Sequence, residues 1–101
     1  MDQSVNIYDI IWKEQFVEKL AVKHSVTTLE VEEVLFSDPF VRKAKKGNFP
    51  DEDLYTAYGQ TSAGRYLIVF FVYKPHQEAA LPISCRDMEP PERRYYAKAK
   101  K

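Results

Sequence analysis

The sequence predicts a small α+β domain with elements in the order β-α-α-β-β-β-β-α and an antiparallel sheet packed with helices. Three observations carry this expectation. Arg65-Tyr66-Leu67-Ile68-Val69-Phe70-Phe71-Val72-Tyr73 is almost wholly aliphatic and aromatic. After the break Lys74-Pro75-His76-Gln77-Glu78, a second run returns from Ala79 to Ser84. Two such runs around a proline-containing break read as a β-hairpin. Upstream, Trp12, Phe16, Val17 and Leu20 recur at helical spacing. Between these lies Val26-Thr27-Thr28-Leu29-Glu30-Val31, a helix start in which Thr27 and Glu30 form a capping box and Val26 and Val31 a hydrophobic staple.

Taken in order, Val5 to Trp12 mixes β-branched and aromatic residues and reads as a short first strand. Lys13 to Lys23 is an amphipathic helix with Glu14, Glu18, Lys19 and Lys23 on its polar face. The capped second helix runs to about Phe36, with Val31, Val34 and Leu35 inward. Asp38-Pro39 ends it, because a residue before proline avoids the helical region. Phe40 to Ala44 reads as an edge strand whose cations discourage aggregation. Lys45 to Asp51 is a loop, Asp53 to Gly59 an alternating strand, and Gln60 to Gly64 a turn.

The first hairpin strand has too few polar positions for a sheet wet on one face. It is expected at the centre of the sheet, covered on both sides. The second run ends on Cys85-Arg86-Asp87, with Arg86 just past the strand. In Glu89-Pro90-Pro91-Glu92, proline suits a first helical turn. The last helix spans Pro91 to about Lys100, with Arg93, Arg94 and Lys98 exposed. Trp12, Phe16, Leu20, Val34, Leu35, Leu67, Val69 and Phe71 form the expected core.

The whole chain, 1–101, reads as one domain, since 101 residues support a single core. Its formal net charge is +0, which excludes a strong overall field for nucleic acid. Local charge is uneven. From Arg86 onward, six bases (Arg86, Arg93, Arg94, Lys98, Lys100, Lys101) face three acids (Asp87, Glu89, Glu92). Arg42, Lys43, Lys45 and Lys46 form a second basic cluster, while acids gather at Glu30, Glu32 and Glu33 and at Asp51, Glu52 and Asp53. Cys85 is the single cysteine, so an intrachain disulfide is excluded. With neither a signal peptide nor a spanning apolar run, a cytoplasmic protein without a membrane association is expected. His24, His76, Cys85 and the acids show no metal-ligand spacing, and the sequence carries no Gly-rich phosphate loop. No metal or other cofactor is expected.

Arg65 opens the first hairpin strand and Arg86 closes the second. Antiparallel pairing brings both to one edge of the sheet, where two guanidiniums can make an anion site.

Several stretches resemble the BrnT family of toxins in the family's order. These are Lys23-His24-Ser25-Val26-Thr27, Val31-Glu32-Glu33-Val34-Leu35-Phe36 and Asp38-Pro39 in the first half. Arg65-Tyr66-Leu67-Ile68-Val69, Ile83-Ser84-Cys85-Arg86-Asp87-Met88 and Glu92-Arg93-Arg94-Tyr95 follow. The similarity covers about Trp12 to Tyr96. It implies a RelE-like fold and the toxin of a type II toxin–antitoxin pair, a metal-independent endoribonuclease acting on RNA. It also implies a hetero-oligomer with a BrnA-type ribbon-helix-helix antitoxin. Three positions depart from the family pattern. Lys13 stands where Asp or Asn is common, Ser25 replaces a glycine suited to a left-handed helix end, and Glu89 replaces the usual capping threonine.

Metal-independent RNA cleavage needs cations around the phosphoryl oxygens, a base for the 2′-OH and an acid for the leaving oxygen. The catalytic candidates are Arg86, Arg65, His24 and Lys23. Arg93, Arg94 and Tyr95 are candidates for holding RNA. Each has a second reading. Arg86 is otherwise a salt-bridge partner of Asp87 or Glu92, and Arg65 an exposed cation at the strand edge. His24 and Lys23 otherwise cap a helix end, and Tyr95 otherwise packs on the sheet. Glu92 reads as a capping-box partner, His76 as a solvated turn residue, and Cys85 as a buried small residue. A non-catalytic RNA- or protein-binding module of the same fold is the alternative function. A structural partner of a transcription factor is a third.

Overall fold

The computed structural model describes residues 5–45 and 53–100. Among the described residues the elements are β1 (Asp9–Ile10), α1 (Glu14–His24), α2 (Thr28–Phe36), β2 (Phe40–Lys45), β3 (Leu54–Gln60), β4 (Tyr66–Lys74), β5 (Ala79–Asp87) and α3 (Pro90–Ala99). The class and order are those the sequence predicts: an α+β fold, three helices on a five-stranded sheet. The strands lie in the order β1-β5-β4-β3-β2, so the apolar run of β4 is central and the cationic β2 is an edge. From Lys46 onward, the expected loop and the acids Asp51 and Glu52 lie outside the described residues.

The sheet is mixed, not wholly antiparallel as expected. β1 joins β5 in parallel, Asp9 opposite Ala79 and Ile10 opposite Ala80. This first strand is also far shorter than the expected Val5 to Trp12. The Tyr8 and Ile11 N–H groups donate to the Glu78 and Ala80 carbonyls at 2.8 Å. Before Tyr8 the chain leaves the ladder, and the Tyr73 hydroxyl donates to the Asn6 carbonyl at 2.6 Å. Val5, Ile7, Ile10 and Trp12 pack on the core from this segment. Outside the pair Asp9–Ile10, the β-branched and aromatic residues of this segment serve burial, not extended pairing.

Side chains alternate between the two faces of a sheet. Leu67, Val69 and Phe71 of β4 face α1 and α2, together with Tyr55 and Ala57 of β3 and Cys85 of β5. They form one cluster with Leu20, Val26, Val31, Val34 and Leu35. Trp12 and Phe16, both expected in the core, are only half-buried. The other β4 face carries Tyr66, Ile68, Phe70 and Val72. α3 crosses part of it, with Tyr95 packed against Phe40 and Tyr58 and Tyr96 against Tyr66. Pro82 has no N–H for a ladder. It sits beside a register shift between Phe70 and Phe71, where β5 takes one extra residue.

The helix ends follow local chemistry. Thr27 accepts the Glu30 N–H at 3.1 Å, and Glu30 accepts the Thr27 N–H at 3.0 Å. Ser25 adopts φ 53° and ψ 42°, the left-handed conformation that commonly ends a helix. α3 begins at Pro90, with the Glu89 N–H donating to Glu92 at 2.8 Å. No helix among the described residues is long and apolar enough to cross a membrane.

Gly59 explains how α2 approaches the sheet. A Cβ there would stand 2.8 Å from Val34 Cγ1 and 3.6 Å from Val34 Cα. Gly59→Ala is therefore expected to lower stability by about 1–3 kcal/mol through overpacking. Denaturant titration measures this. An unchanged midpoint would mean that α2 can move away without loss.

Candidate nucleic-acid interface

Arg65 and Arg86 reach the same end of the sheet, as the hairpin register requires, yet they lie on opposite faces. Arg86 pairs with Ile68 and lies inside β5, not past its end as the sequence suggests. It therefore points with Ile68 and Phe70 toward α3. Asp87, one residue on, points to the α1–α2 side and meets Arg65. A one-residue step along a strand reverses the face. The two guanidiniums do not form a common anion site.

Arg65 is consumed by structure. Its Nε donates to Asp87 Oδ1 at 2.7 Å and its Nη2 to Asp87 Oδ2 at 3.1 Å. Nη1 donates to Glu30 Oε1 at 3.1 Å and to the Ser25 carbonyl at 2.8 Å. Nη2 also reaches the His24 carbonyl at 3.0 Å. One side chain thus ties the end of α1, the start of α2 and the end of β5 together. The Arg65 fork holds the Asp87 carboxyl below its ordinary range, and the nearby His24 adds to this. Glu30 is lowered chiefly by the Thr27 N–H, with Arg65 assisting against burial.

His24 is half-buried and Lys23 exposed at the end of α1. Both belong to the Arg65 side, across the sheet from Arg86. The four catalytic candidates are therefore split, with Arg86 alone on its face. Cys85 is fully buried in the core, and burial pushes its thiol up to about 12. A thiol buried in apolar surroundings in this way is the inert, structural kind. His76 lies exposed in the β4–β5 turn.

The α3 face is different in character. Arg86 lies 5.6 Å from the Phe70 ring centroid, Arg93 4.1 Å from that of Tyr66, and Arg42 5.2 Å from that of Tyr95. Tyr58 adjoins Tyr95 at 5.4 Å between centroids. Tyr58, Ile68 and Arg86 form one cross-strand row, and Arg42, Thr56, Phe70 and Ser84 form the next. Arg42 and Arg93 are exposed, and Tyr58, Tyr66, Phe70 and Tyr95 only half-buried. Arg94 is exposed on α3 beside Arg93. Cations over rings are attracted by the ring quadrupole. Such stacking leaves the edge of a guanidinium open to an anion; on Arg86 that edge is taken by Glu92.

Arg42, Tyr58, Tyr66 and Phe70 are the members that sequence reasoning missed. Even-numbered parity along the hairpin would have grouped Tyr66, Phe70 and Arg86. The pairing of β2 with β3, which brings in Arg42, needed the fold.

Arg86 itself is gripped. Nη1 and Nη2 donate to Glu92 Oε1 and Oε2, each at 2.8 Å, and Nη1 reaches the Asp87 carbonyl at 3.2 Å. The guanidinium draws the Glu92 carboxyl below its ordinary range, against the opposing effect of burial.

A cleft of about 380 Å³ lies elsewhere, between residues 5–8, the end of α2 and the start of β2. None of the sequence-predicted site residues lines it. Among the described residues, no group of three His, Cys, Asp or Glu side chains is placed to hold a metal ion. No protein-family model matches the chain, and no curated protein matches its sequence.

Proposed function

We propose that this chain is a BrnT-type toxin with a RelE-like fold, an endoribonuclease that takes single-stranded RNA across the α3 face of its sheet. The observation that carries the reading is the set of three arginines, Arg42, Arg86 and Arg93, each over an aromatic ring on that face. Guanidiniums suit phosphates, and half-buried rings suit unstacked bases. The ordered resemblance from about Trp12 to Tyr96 supports the same conclusion. Cleavage would form a bond from the ribose 2′-oxygen to phosphorus and break the bond to the 5′-oxygen. The 2′-OH proton leaves to a base, and an acid protonates the departing oxygen. Arg86 would steady the charge on the non-bridging oxygens, with no metal required. An antitoxin of the BrnA type, an acidic partner for the Arg86–Arg93–Arg94 rim, would complete the pair.

A second reading, a binding module without turnover, has its own support. Arg65 is fully engaged, and His24 and Lys23 lie across the sheet from Arg86. On the Arg86 face, the titratable groups that act on Arg86 include Glu92, Glu89 and Tyr58.

A fluorescent RNA incubated with the purified protein in excess EDTA separates the two readings. Cleavage is the expected result. Intact RNA that is nonetheless bound would select the module. Arg93→Ala is expected to weaken binding and to lower the slope of log affinity against log salt by about one. An unchanged slope would remove Arg93 from the interface. Co-expression with the gene next to this one, followed by size exclusion, tests the partner. Two separate peaks at micromolar concentration would count against it.

A further inference from the structure

We propose that Glu92 is an internal stand-in for phosphate, which keeps Arg86 closed until RNA displaces it. The inference rests on the RNA-binding reading above and adds a regulatory contact to that site.

The geometry is that of a bound anion. Both Glu92 oxygens accept from the two terminal nitrogens of Arg86 at 2.8 Å, in a fork-to-fork arrangement. Such bidentate pairs are the form in which arginine also takes phosphate. Oε1 accepts the Glu89 N–H as well, at 2.8 Å. The carboxylate thus occupies the positions that two phosphoryl oxygens would take. Phosphate cannot use both terminal nitrogens of Arg86 while Glu92 holds them.

The contact is also able to open. The side chains of Arg86 and Glu92 keep 35% and 24% of their surface exposed, so water can replace either partner. Glu92 stands in the first turn of α3, a helix without a fully buried residue. The helix also meets the sheet through the rings of Tyr95 and Tyr96 and through Arg93 over Tyr66. A rotation of the Glu92 side chain is enough to free the fork, and the helix need not leave. Arg93, over the Tyr66 ring one residue on, remains available to meet RNA first.

Glu92→Gln tests this. The amide keeps one acceptor for the Glu89 N–H. Its NH2 group, however, would face the second Arg86 nitrogen, donor against donor, and the competing charge is gone. The probe is a short single-stranded RNA with 2′-O-methyl riboses, which cannot be cleaved through the 2′-oxygen. Affinity is read by fluorescence anisotropy at fixed ionic strength. Glu92→Gln is expected to bind roughly 3- to 10-fold more tightly than the wild type, as for release of a partly exposed bidentate pair. Glu89→Gln makes the same change of net charge nearby while leaving the Arg86–Glu92 fork in place, and should gain less. Arg86→Ala combined with Glu92→Gln should abolish the gain. Glu92→Asp keeps the charge but is one methylene short of the fork, and should gain in part; it serves if the amide variant folds poorly.

Arg86-dependent binding by the wild type with no greater gain in Glu92→Gln than in Glu89→Gln would overturn the latch and leave the interface standing. Failure of both the wild type and Glu92→Gln to bind would overturn the RNA reading and the latch with it.

Discussion

Arg86→Ala is expected to slow RNA cleavage by roughly 100-fold or more, the scale seen when a group that stabilises transition-state charge is lost. Arg86→Lys should be nearly as damaging. A planar guanidinium can hold two phosphoryl oxygens at once, and a single ammonium cannot imitate that geometry. The fold should survive both changes. The Arg86–Glu92 pair is more than a third exposed on the arginine side, so water screens it and its loss costs about 1 kcal/mol or less. Cleavage rates in EDTA, with a denaturant midpoint for each variant, measure both effects. A folded Arg86→Ala variant with full activity would remove Arg86 from the chemistry.

Arg65→Ala is expected to act through stability instead. The side chain is 26% exposed and serves Asp87, Glu30 and two backbone carbonyls. Removing it leaves Glu30, itself 24% exposed, without its cation. It also takes the Arg65 donors from the His24 and Ser25 carbonyls. Loss of charge-assisted bonds of this kind costs about 2–4 kcal/mol, discounted for the largely exposed Asp87. In a domain of this size the melting temperature should fall on the order of 10 °C or more. Arg65→Lys should recover only part, because an ammonium cannot span acceptors on α1, α2 and β5 together.

The pH dependence has a definite sign. Asp87 and Glu30 are both lowered in the folded state. Their contribution is therefore present above the ordinary carboxylate range and lost as pH falls through their folded values. Arg65→Ala should flatten that acid limb of the stability curve. A variant as stable as the wild type would show that the clamp is ornamental. Loss of activity without loss of stability would return Arg65 to the candidates for catalysis.

These opposite expectations for two arginines show where sequence reading stops. Local signals were legible because their causes are local. The Thr27–Glu30 capping box, the proline start of α3 and the apolar run of β4 each depend on neighbours within a few residues. The element order, the central place of β4 and the burial of Leu67, Val69, Phe71 and Cys85 follow from the same patterns. The segment before Asp9 misled because β-branched residues favour burial as well as pairing. Its short parallel contact with β5 depends on residues about seventy positions away.

The site was legible only in its parts. Hairpin pairing correctly brings Arg65 and Arg86 to one end of the sheet. The face each takes depends on a single step of register, and that step gave Arg65 to α1 and α2 and Arg86 to α3. Arg42 joined through β2–β3 pairing, across residues far apart in the chain. Residue order alone supplies the side chains available: arginines, tyrosines and one carboxylate in the first turn of the last helix. That Arg65 binds three elements together, and that Arg86 meets Glu92, follows from the packing of the helices on the two faces of the sheet. Strand alternation and helix placement, not residue type, select the partner of a charge.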